Sequence, residues 1–438
     1  MLPPLARPVW GLNHVIAYGQ SLATGWEGWP ALSRTARYDT LMLGDSVRPR
    51  DEFAADFVPT GSAALRPLTA TVQRQDGTLL SEAEVARLPR DDVAMGETVL
   101  EAAVNYWRGR MLAAGAAAGT RQLVASACGV GGRTLETLSK GAAPELFNRL
   151  RGCVRLGREV AAAAGRSYGV TALLFLQGEH NNWQVDGAVG DAAGYYALFR
   201  RFHADVLADV AAGTAGQVLP PAVFTYQTGG AYATDRNEVP MAQLRAALEI
   251  PGVFMAAPVY PVTDKGGHLD ANGYRWLGAQ FGKVLHLVLT EGRDWKPLYP
   301  LSARCEGRVV ILRFHVPVPP VRFGVPYAGT EPLIQQDKGF LVRDAAGEIA
   351  VRAEIDGADG VALHLERAPG PGLTVTYAGR HRHHGRGSLH DSDATVADDC
   401  YEYAPGRGHR EKAEIAELMD KPYPLMNWCV AFRMDVDF

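Results

Sequence analysis

Over the first two-thirds of the chain, short apolar runs alternate with Ala-rich stretches of helical periodicity. The runs lie at 12–18 (LNHVIAY), 121–126 (RQLVAS), 171–176 (TALLFL), 222–226 (AVFTY) and 252–256 (GVFMA). They are largely apolar rather than alternating, as suits strands buried on both faces. The helical stretches lie at 97–115, 143–165, 192–212 and 241–248. Strand then helix, repeated, predicts a parallel sheet covered by helices. A sheet of that kind collects its functional groups at the carboxyl ends of its strands.

The stretch 24–95 breaks the rhythm. It is rich in Pro, Gly and Arg, with weak periodicity, and reads as an insertion that overhangs the site. After a helix at 272–289 the pattern changes to β-alternation punctuated by Gly and Pro (RVVILRFHV, GVALHLERAPGPGLTVTYAG), as in a β-sandwich. Two domains are therefore expected: 1–294, α/β with the insertion, and 295–438, β-rich. The segment 381–388 (HRHHGRGS) reads as a solvated loop rather than a metal site, since no carboxylate is interleaved with its histidines. Trp295, Tyr299 and Trp428 read as core, with a glycan-stacking platform as the alternative.

Composition excludes several classes. With 438 residues, 47% hydrophobic and 21% charged, the chain is globular and long enough for two domains. A net charge of -4 offers no global positive field for nucleic acid or anionic lipid. No apolar run approaches the roughly 20 residues of a membrane span. Five scattered cysteines (128, 153, 305, 400, 429) show no CxxC or zinc spacing, and read as buried thiols in a reducing compartment. No secretory leader is visible, so a cytoplasmic location is the default expectation, with secretion or association with a particle as alternatives.

Four polar clusters follow the apolar runs. In HVIAYGQSLATG, Ser21 stands where a strand ends, a glycine turns and a short helix starts. A hydroxyl there is exposed, and the adjacent N–H groups point the same way, which suits a nucleophile and an oxyanion donor. In VASACGVGGRTLETL, a strand enters a glycine-rich turn whose N–H groups, at Gly131 or Gly132, form an anion site. In LLFLQGEHNNW, Gln177 offers a side-chain oxyanion donor and Glu179 a carboxylate. In PVTDKGGHLDANGYRW, His268 precedes an amphipathic helix, with Asp264 four residues earlier. A histidine serving a serine needs that loop position and an acid to fix its tautomer.

In this order the four clusters resemble the block signature of the SGNH/GDSL hydrolase superfamily. The Gly-Gln-Ser and Gln-Gly-Glu variants resemble its carbohydrate acetylesterase, sialate O-acetylesterase-like branch. The resemblance covers about 10–290. It implies a three-layer α/β/α sandwich with a central parallel sheet, to which the chain adds its C-terminal β-sandwich-like domain. It implies a serine esterase without metal or cofactor, removing acyl groups, acetyl above all, from a carbohydrate or related ester. The partner is then a small-molecule or polysaccharide ester, not nucleic acid or membrane. By the resemblance Ser21 is the nucleophile and His268 the general base, while Ser21, Gly132 (or Gly131) and Gln177 form the oxyanion hole. The family spacing is Asp-x-x-His, whereas Asp264 is one residue further away, so both Asp264 and Glu179 stand as candidates for the acid. The namesake Gly-Asp-Ser tripeptide recurs at Ser46, which ranks below Ser21 because its flanks suit neither strand nor helix. Two other readings are a non-catalytic glycan-binding module on an esterase fold, and a lipase or thioesterase of the same superfamily. CGVGGRT lacks the lysine and spacing of a P-loop.

Overall fold

The computed structural model describes residues 3–89, 91–327, 336–402 and 415–438. The five apolar runs become strands of one seven-stranded sheet. Its strands are β1 (Leu12–Gly19), β2 (Leu41–Leu43), β3 (Leu65–Pro67), β4 (Gln122–Ala127), β5 (Tyr168–Leu176), β6 (Ala222–Gln227) and β7 (Val253–Pro258). Their order is β3-β2-β4-β1-β5-β6-β7, parallel throughout except for the β2–β3 pair.

Alternate residues of β1 enter two different cores. Val15 and Ala17 pack with helices α2 (Val99–Ala113) and α7 (Ala271–Leu285), as do Trp107 and Trp276. Ile16 and Tyr18 pack with α3 (Asn148–Ala163), α5 (Ala192–Asp205) and α6 (Glu238–Glu249). This two-sided burial is why the runs read as continuously apolar. A large side chain as fully buried as Trp107 or Phe175 contributes about 1.5–3 kcal/mol.

Helix boundaries follow local chemistry. The helix expected from 97 starts at Val99 because Thr98 and Glu101 form a capping box. The helix expected from 143 starts only at Asn148: Pro144 keeps Ala143 out of helical geometry. α5 runs on beyond Asp205 as a π-helical segment to Ala215.

The insertion is more embedded than its sequence suggests. Its strands β2 and β3 extend the main sheet, and the buried Arg48 donates to the carbonyls of Thr24 (3.1 Å), Gly96 (2.7 Å) and Thr71 (2.5 Å). These bonds clamp the insertion to the segment that follows Ser21.

The C-terminal region carries β8 (Tyr299–Glu306), β9 (Val309–His315), β10 (Phe340–Asp344), β11 (Gly347–Ile349), β12 (Val351–Ile355), β13 (Gly360–Leu365), β14 (Thr374–Tyr377) and β15 (Phe432–Asp435). They form two four-stranded antiparallel sheets, β8-β9-β13-β12 and β11-β10-β14-β15, which share one core. Trp295 and Trp428 are buried, at 9% and 5% exposure, so neither is an open platform. The segment 381–388 is a solvated loop only in part: His381, Arg382 and His384 are exposed, and the rest is buried. A one-turn helix α8 (Arg380–His383) leads into it, and His383 is buried against Asp337 at 2.9 Å. Arg386 is buried against Asp264 at 2.8 Å. The alternation of charge and glycine hid this, because His383 and Arg386 meet carboxylates far away in sequence.

Candidate active site

β4, β1 and β5 are neighbours in the sheet, so the loops after all three emerge at one edge. Gly19 ends β1 with φ +143°, and a Cβ there would sit 2.0 Å from the Leu176 carbonyl oxygen. Only glycine lets β1 turn this close to β5. Ser21 then opens the one-turn helix α1 (Ser21–Thr24), which ends at Gly25 in the left-handed region. The first N–H groups of such a turn have no intrahelical acceptor.

Ser21 Oγ lies 2.8 Å from His268 Nε2. His268 Nδ1 lies 3.1 Å from Glu27 Oε2. An ionised carboxylate only accepts, so it holds the ring proton on Nδ1 and leaves Nε2 to accept from the serine hydroxyl. The Trp26 ring lies beside the imidazole, with centroids 6.0 Å apart.

Glu27 sits at φ +58°, where a side chain costs of order 1 kcal/mol or more. Tertiary contacts hold it there. Lys265 Nζ donates to the Glu27 carbonyl (2.5 Å) and Tyr274 Oη to the Trp26 carbonyl (2.9 Å). Burial pushes the Lys265 ammonium down to about 8, opposed by the charges of Asp270, Glu27 and Asp92.

Neither acid expected from sequence bonds to His268. Asp264 and Leu269 pair across a tight turn in which Lys265 N–H donates to the His268 carbonyl (2.8 Å). The extra residue between Asp264 and His268 is absorbed in this turn. The Asp264 carboxylate folds onto Gly266 N–H (2.7 Å) and Arg386 Nη2 (2.8 Å) instead. Glu179 opens α4 (Glu179–Asn182) and is buried, accepting from Tyr226 Oη and from Thr228 Oγ1 (2.8 Å). Burial raises its carboxyl above the usual range; the hydrogen bonds from these two hydroxyls oppose the rise.

The glycine-rich turn is braced from the insertion. Glu52 Oε1 accepts from Gly131 N–H (2.9 Å) and from Trp26 Nε1 (3.0 Å). Gly131 is therefore engaged, whereas the N–H of Gly132, at φ +68°, makes no hydrogen bond among the described residues. Burial raises the Glu52 carboxyl, against the nearby Arg149 charge and these hydrogen bonds.

Gln177 is fully buried. Its Oε1 accepts from Tyr195 Oη (2.7 Å), and its Nε2 donates to Asn181 Oδ1 (2.6 Å). Its second amide hydrogen has only long contacts, to the Arg133 carbonyl (3.4 Å) and Gln20 Oε1 (3.5 Å). Asn181 is itself saturated by Leu135 N–H, Glu136 and the Val189 carbonyl, so it organises the loop. Ser46 is buried inside the insertion, bonded to Arg48 N–H and Thr71 Oγ1 rather than to a histidine.

Glu27, Trp26 and Glu52 were missed in the sequence because they fall in the irregular stretch. One signal was present: a lone carboxylate between two tryptophans and a glycine (Trp26-Glu27-Gly28-Trp29), six positions after the serine. Among the described residues no cluster of three or more His, Cys, Asp or Glu could hold a metal ion. Among them, too, no helix is long and apolar enough to cross a membrane.

No family model matches the sequence. No curated protein matches it either. Among solved structures the chain is similar to a carbohydrate acetylesterase from Xanthomonas citri, at 14% identity and a TM-score of 0.54, over 97% of this chain and 80% of that one. Weaker likenesses reach a carbohydrate acetylesterase family member from Sinorhizobium meliloti (13% identity, 64% of this chain, 99% of that one, TM-score 0.29) and a protein from Arabidopsis thaliana (15%, 63%, 99%, 0.42). At such identities the likeness to the first is one of fold.

Proposed function

We propose that this chain is a serine ester hydrolase that removes acyl groups, acetyl above all, from a carbohydrate or related ester. On this reading 1–294 is an SGNH-like three-layer α/β/α domain and 295–438 an accessory β-sandwich-like domain. The observation that carries it is the relay Ser21–His268–Glu27, with contacts of 2.8 and 3.1 Å. A serine beside a neutral imidazole whose far nitrogen is held by a carboxylate is poised for proton transfer.

His268 Nε2 takes the proton of Ser21 as Oγ adds to the ester carbonyl. The negative charge on the carbonyl oxygen is received by the N–H groups of Ser21 and Gly132, and by the second amide hydrogen of Gln177. Each such donor is worth about 10²–10³ in turnover. The protonated imidazole, stabilised by Glu27, then gives its proton to the departing alkoxide. Water, deprotonated by the same nitrogen, attacks the acyl-serine and releases the acid. The likeness to an acetylesterase fold supports a sugar ester as the substrate class.

The test uses p-nitrophenyl acetate and a serine-reactive fluorophosphonate. The wild type is expected to hydrolyse the first and to be labelled by the second, and Ser21→Ala to do neither. An unlabelled wild type is the result expected of a binding module. A series from acetyl to octanoyl esters is expected to fall with length; a rise would identify a lipase or thioesterase.

A further inference from the structure

The insertion carries a small core of its own, set apart from the relay. Trp29, Ala31, Ala70 and Val72 are buried together, and Leu80 and Val85 pack against them half-buried. Two local devices build its outer wall. Val72–Gln73 pairs antiparallel with Leu79–Leu80 across a short turn. Ser81 then caps a one-turn helix, Glu82–Val85, through a capping box with Glu84. Between this wall and Trp29 lies a cavity of about 390 Å³, lined by all six of those apolar side chains and by none of Ser21, His268 and Glu27.

Size and lining select the occupant. Apolar cavities bind apolar molecules, and one of about 150 Å³ takes a benzene ring. Scaled by volume, this one takes a body of roughly 15 non-hydrogen atoms. Arg34 and Glu82 also line it, and with side chains 50% and 82% exposed they stand at its mouth. Arg34 Nη1 donates to Glu82 Oε1 at 2.8 Å. A pair this exposed is weak, and both partners keep hydrogen-bonding capacity for a third group. A hydroxyl donates and accepts, so it meets carboxylate and guanidinium together. A ligand carboxylate only accepts, and it would face the like charge of Glu82. The Thr71 hydroxyl, on the same wall, is engaged with Ser46 at 3.0 Å.

Trp29 joins the cavity to the relay. Its indole N–H is fixed on the Asp92 carbonyl (2.7 Å), and its ring lies 4.6 Å from Lys265 Nζ. Its carbonyl accepts from that nitrogen at 3.2 Å, and the same ammonium holds the Glu27 carbonyl. A molecule packed on the seated indole favours the arrangement in which Lys265 spans both carbonyls.

We propose that this cavity is an effector site for a neutral amphiphile, a compact apolar body with one hydroxyl at the Arg34–Glu82 mouth. The occupant steadies Trp29 and, through Lys265, the backbone of Glu27. The effector role rests on the reading of Glu27 as the acid of an esterase; the binding does not.

The test uses p-phenylphenol and p-phenylbenzoate, which share one apolar body and differ in the head group. Each is titrated onto the full chain at neutral pH by calorimetry, for the wild type, Glu82→Gln, Ala70→Leu and Val85→Phe. The wild type is expected to bind the phenol at least threefold more tightly than the benzoate. Glu82→Gln is expected to tighten the benzoate at least threefold and to change the phenol less than twofold. Ala70→Leu and Val85→Phe fill the cavity from two different walls, and should each weaken the phenol at least tenfold while melting no lower than the wild type. With the phenol saturating, kcat on p-nitrophenyl acetate is expected to rise at least twofold in the wild type and to stay unchanged in Ala70→Leu. A wild type that binds neither compound, a phenol affinity that the filled variants leave unmoved, or a preference for the benzoate overturns the site. So does a benzoate affinity unmoved by Glu82→Gln, a surface change that decides the matter even where a filled variant does not fold. Binding without a rise in kcat overturns the effector role. If the wild type hydrolyses no p-nitrophenyl acetate, the esterase reading fails and the effector role with it, while the titration still decides the cavity.

Discussion

At the scale of single residues, Ser21 and His268, which meet at 2.8 Å, stand where local signals pointed: a turn after a strand for the serine, a loop before a helix for the histidine. The acid does not. Three carboxylates surround the relay, and their partners differ: Glu27 faces the imidazole, Asp264 faces Arg386, and Glu179 faces two hydroxyls. Glu27→Gln removes the charge that steadies the imidazolium and the acceptor that sets its tautomer. It is expected to lower kcat by about 10²–10⁴-fold. Glu179→Gln keeps a side chain able to meet Tyr226 and Thr228, and is expected to cost less than tenfold. Steady-state kinetics on p-nitrophenyl acetate compares the two directly. A larger loss in Glu179→Gln would move the acid to the Gln-Gly-Glu segment. Sequence spacing could not choose among the three, because a one-residue change in a turn redirects a carboxylate by several ångströms.

At the scale of elements, the alternation of runs and helical stretches located every large strand of the first two-thirds. What it missed were ends and exceptions. Asn148 starts its helix late because of Pro144, and Thr98 starts another through a side-chain cap. Packing on helices also sets their pH response. His203 on α5 is buried at 7% exposure, and desolvation pushes its imidazole down to about 4. Its folded pKa lies below the unfolded value of roughly 6.5. Above pH 6.5 both states are neutral and the residue costs nothing. As pH falls from there, the unfolded chain takes up the proton first, so stability is lost progressively down to about pH 4. At pH 5 the loss is about 2 kcal/mol. His203→Gln cannot titrate, so its urea midpoint is expected to fall less than that of the wild type between pH 7.5 and pH 5. Equal falls would place the burden of acidification elsewhere.

At the scale of the whole molecule, the C-terminal region is tied to the loop that carries His268. The tie is the Asp264–Arg386 pair, with side-chain exposures of 11% and 7%. Removing one partner of a buried pair strands the other charge and costs about 3–5 kcal/mol. Asp264→Asn and Arg386→Met are each expected to lower the unfolding free energy, read from urea titration, by that measure. The double variant should lose less than the sum of the two, because neither charge is then stranded. Strict additivity in equilibrium unfolding would mean the pair is not coupled. The same contact explains why 381–388 was misread: nothing local distinguishes a cation waiting for a distant carboxylate from one facing water.

The sequence by itself determined the two-sided α/β sheet, the change to β-structure near 295, and the strand-end positions of Ser21, Gln177 and the glycine-rich turn. Those features follow from short-range rules, namely burial periodicity and the conformational freedom of glycine at particular turns. Only the tertiary structure decided which carboxylate meets the imidazole, which insertion residue braces the glycine turn, and which residue of the C-terminal region meets Asp264 in the loop that carries His268. Each depends on a contact between residues far apart in the chain, and such contacts are selected by the geometry of the packed whole rather than by neighbouring residues.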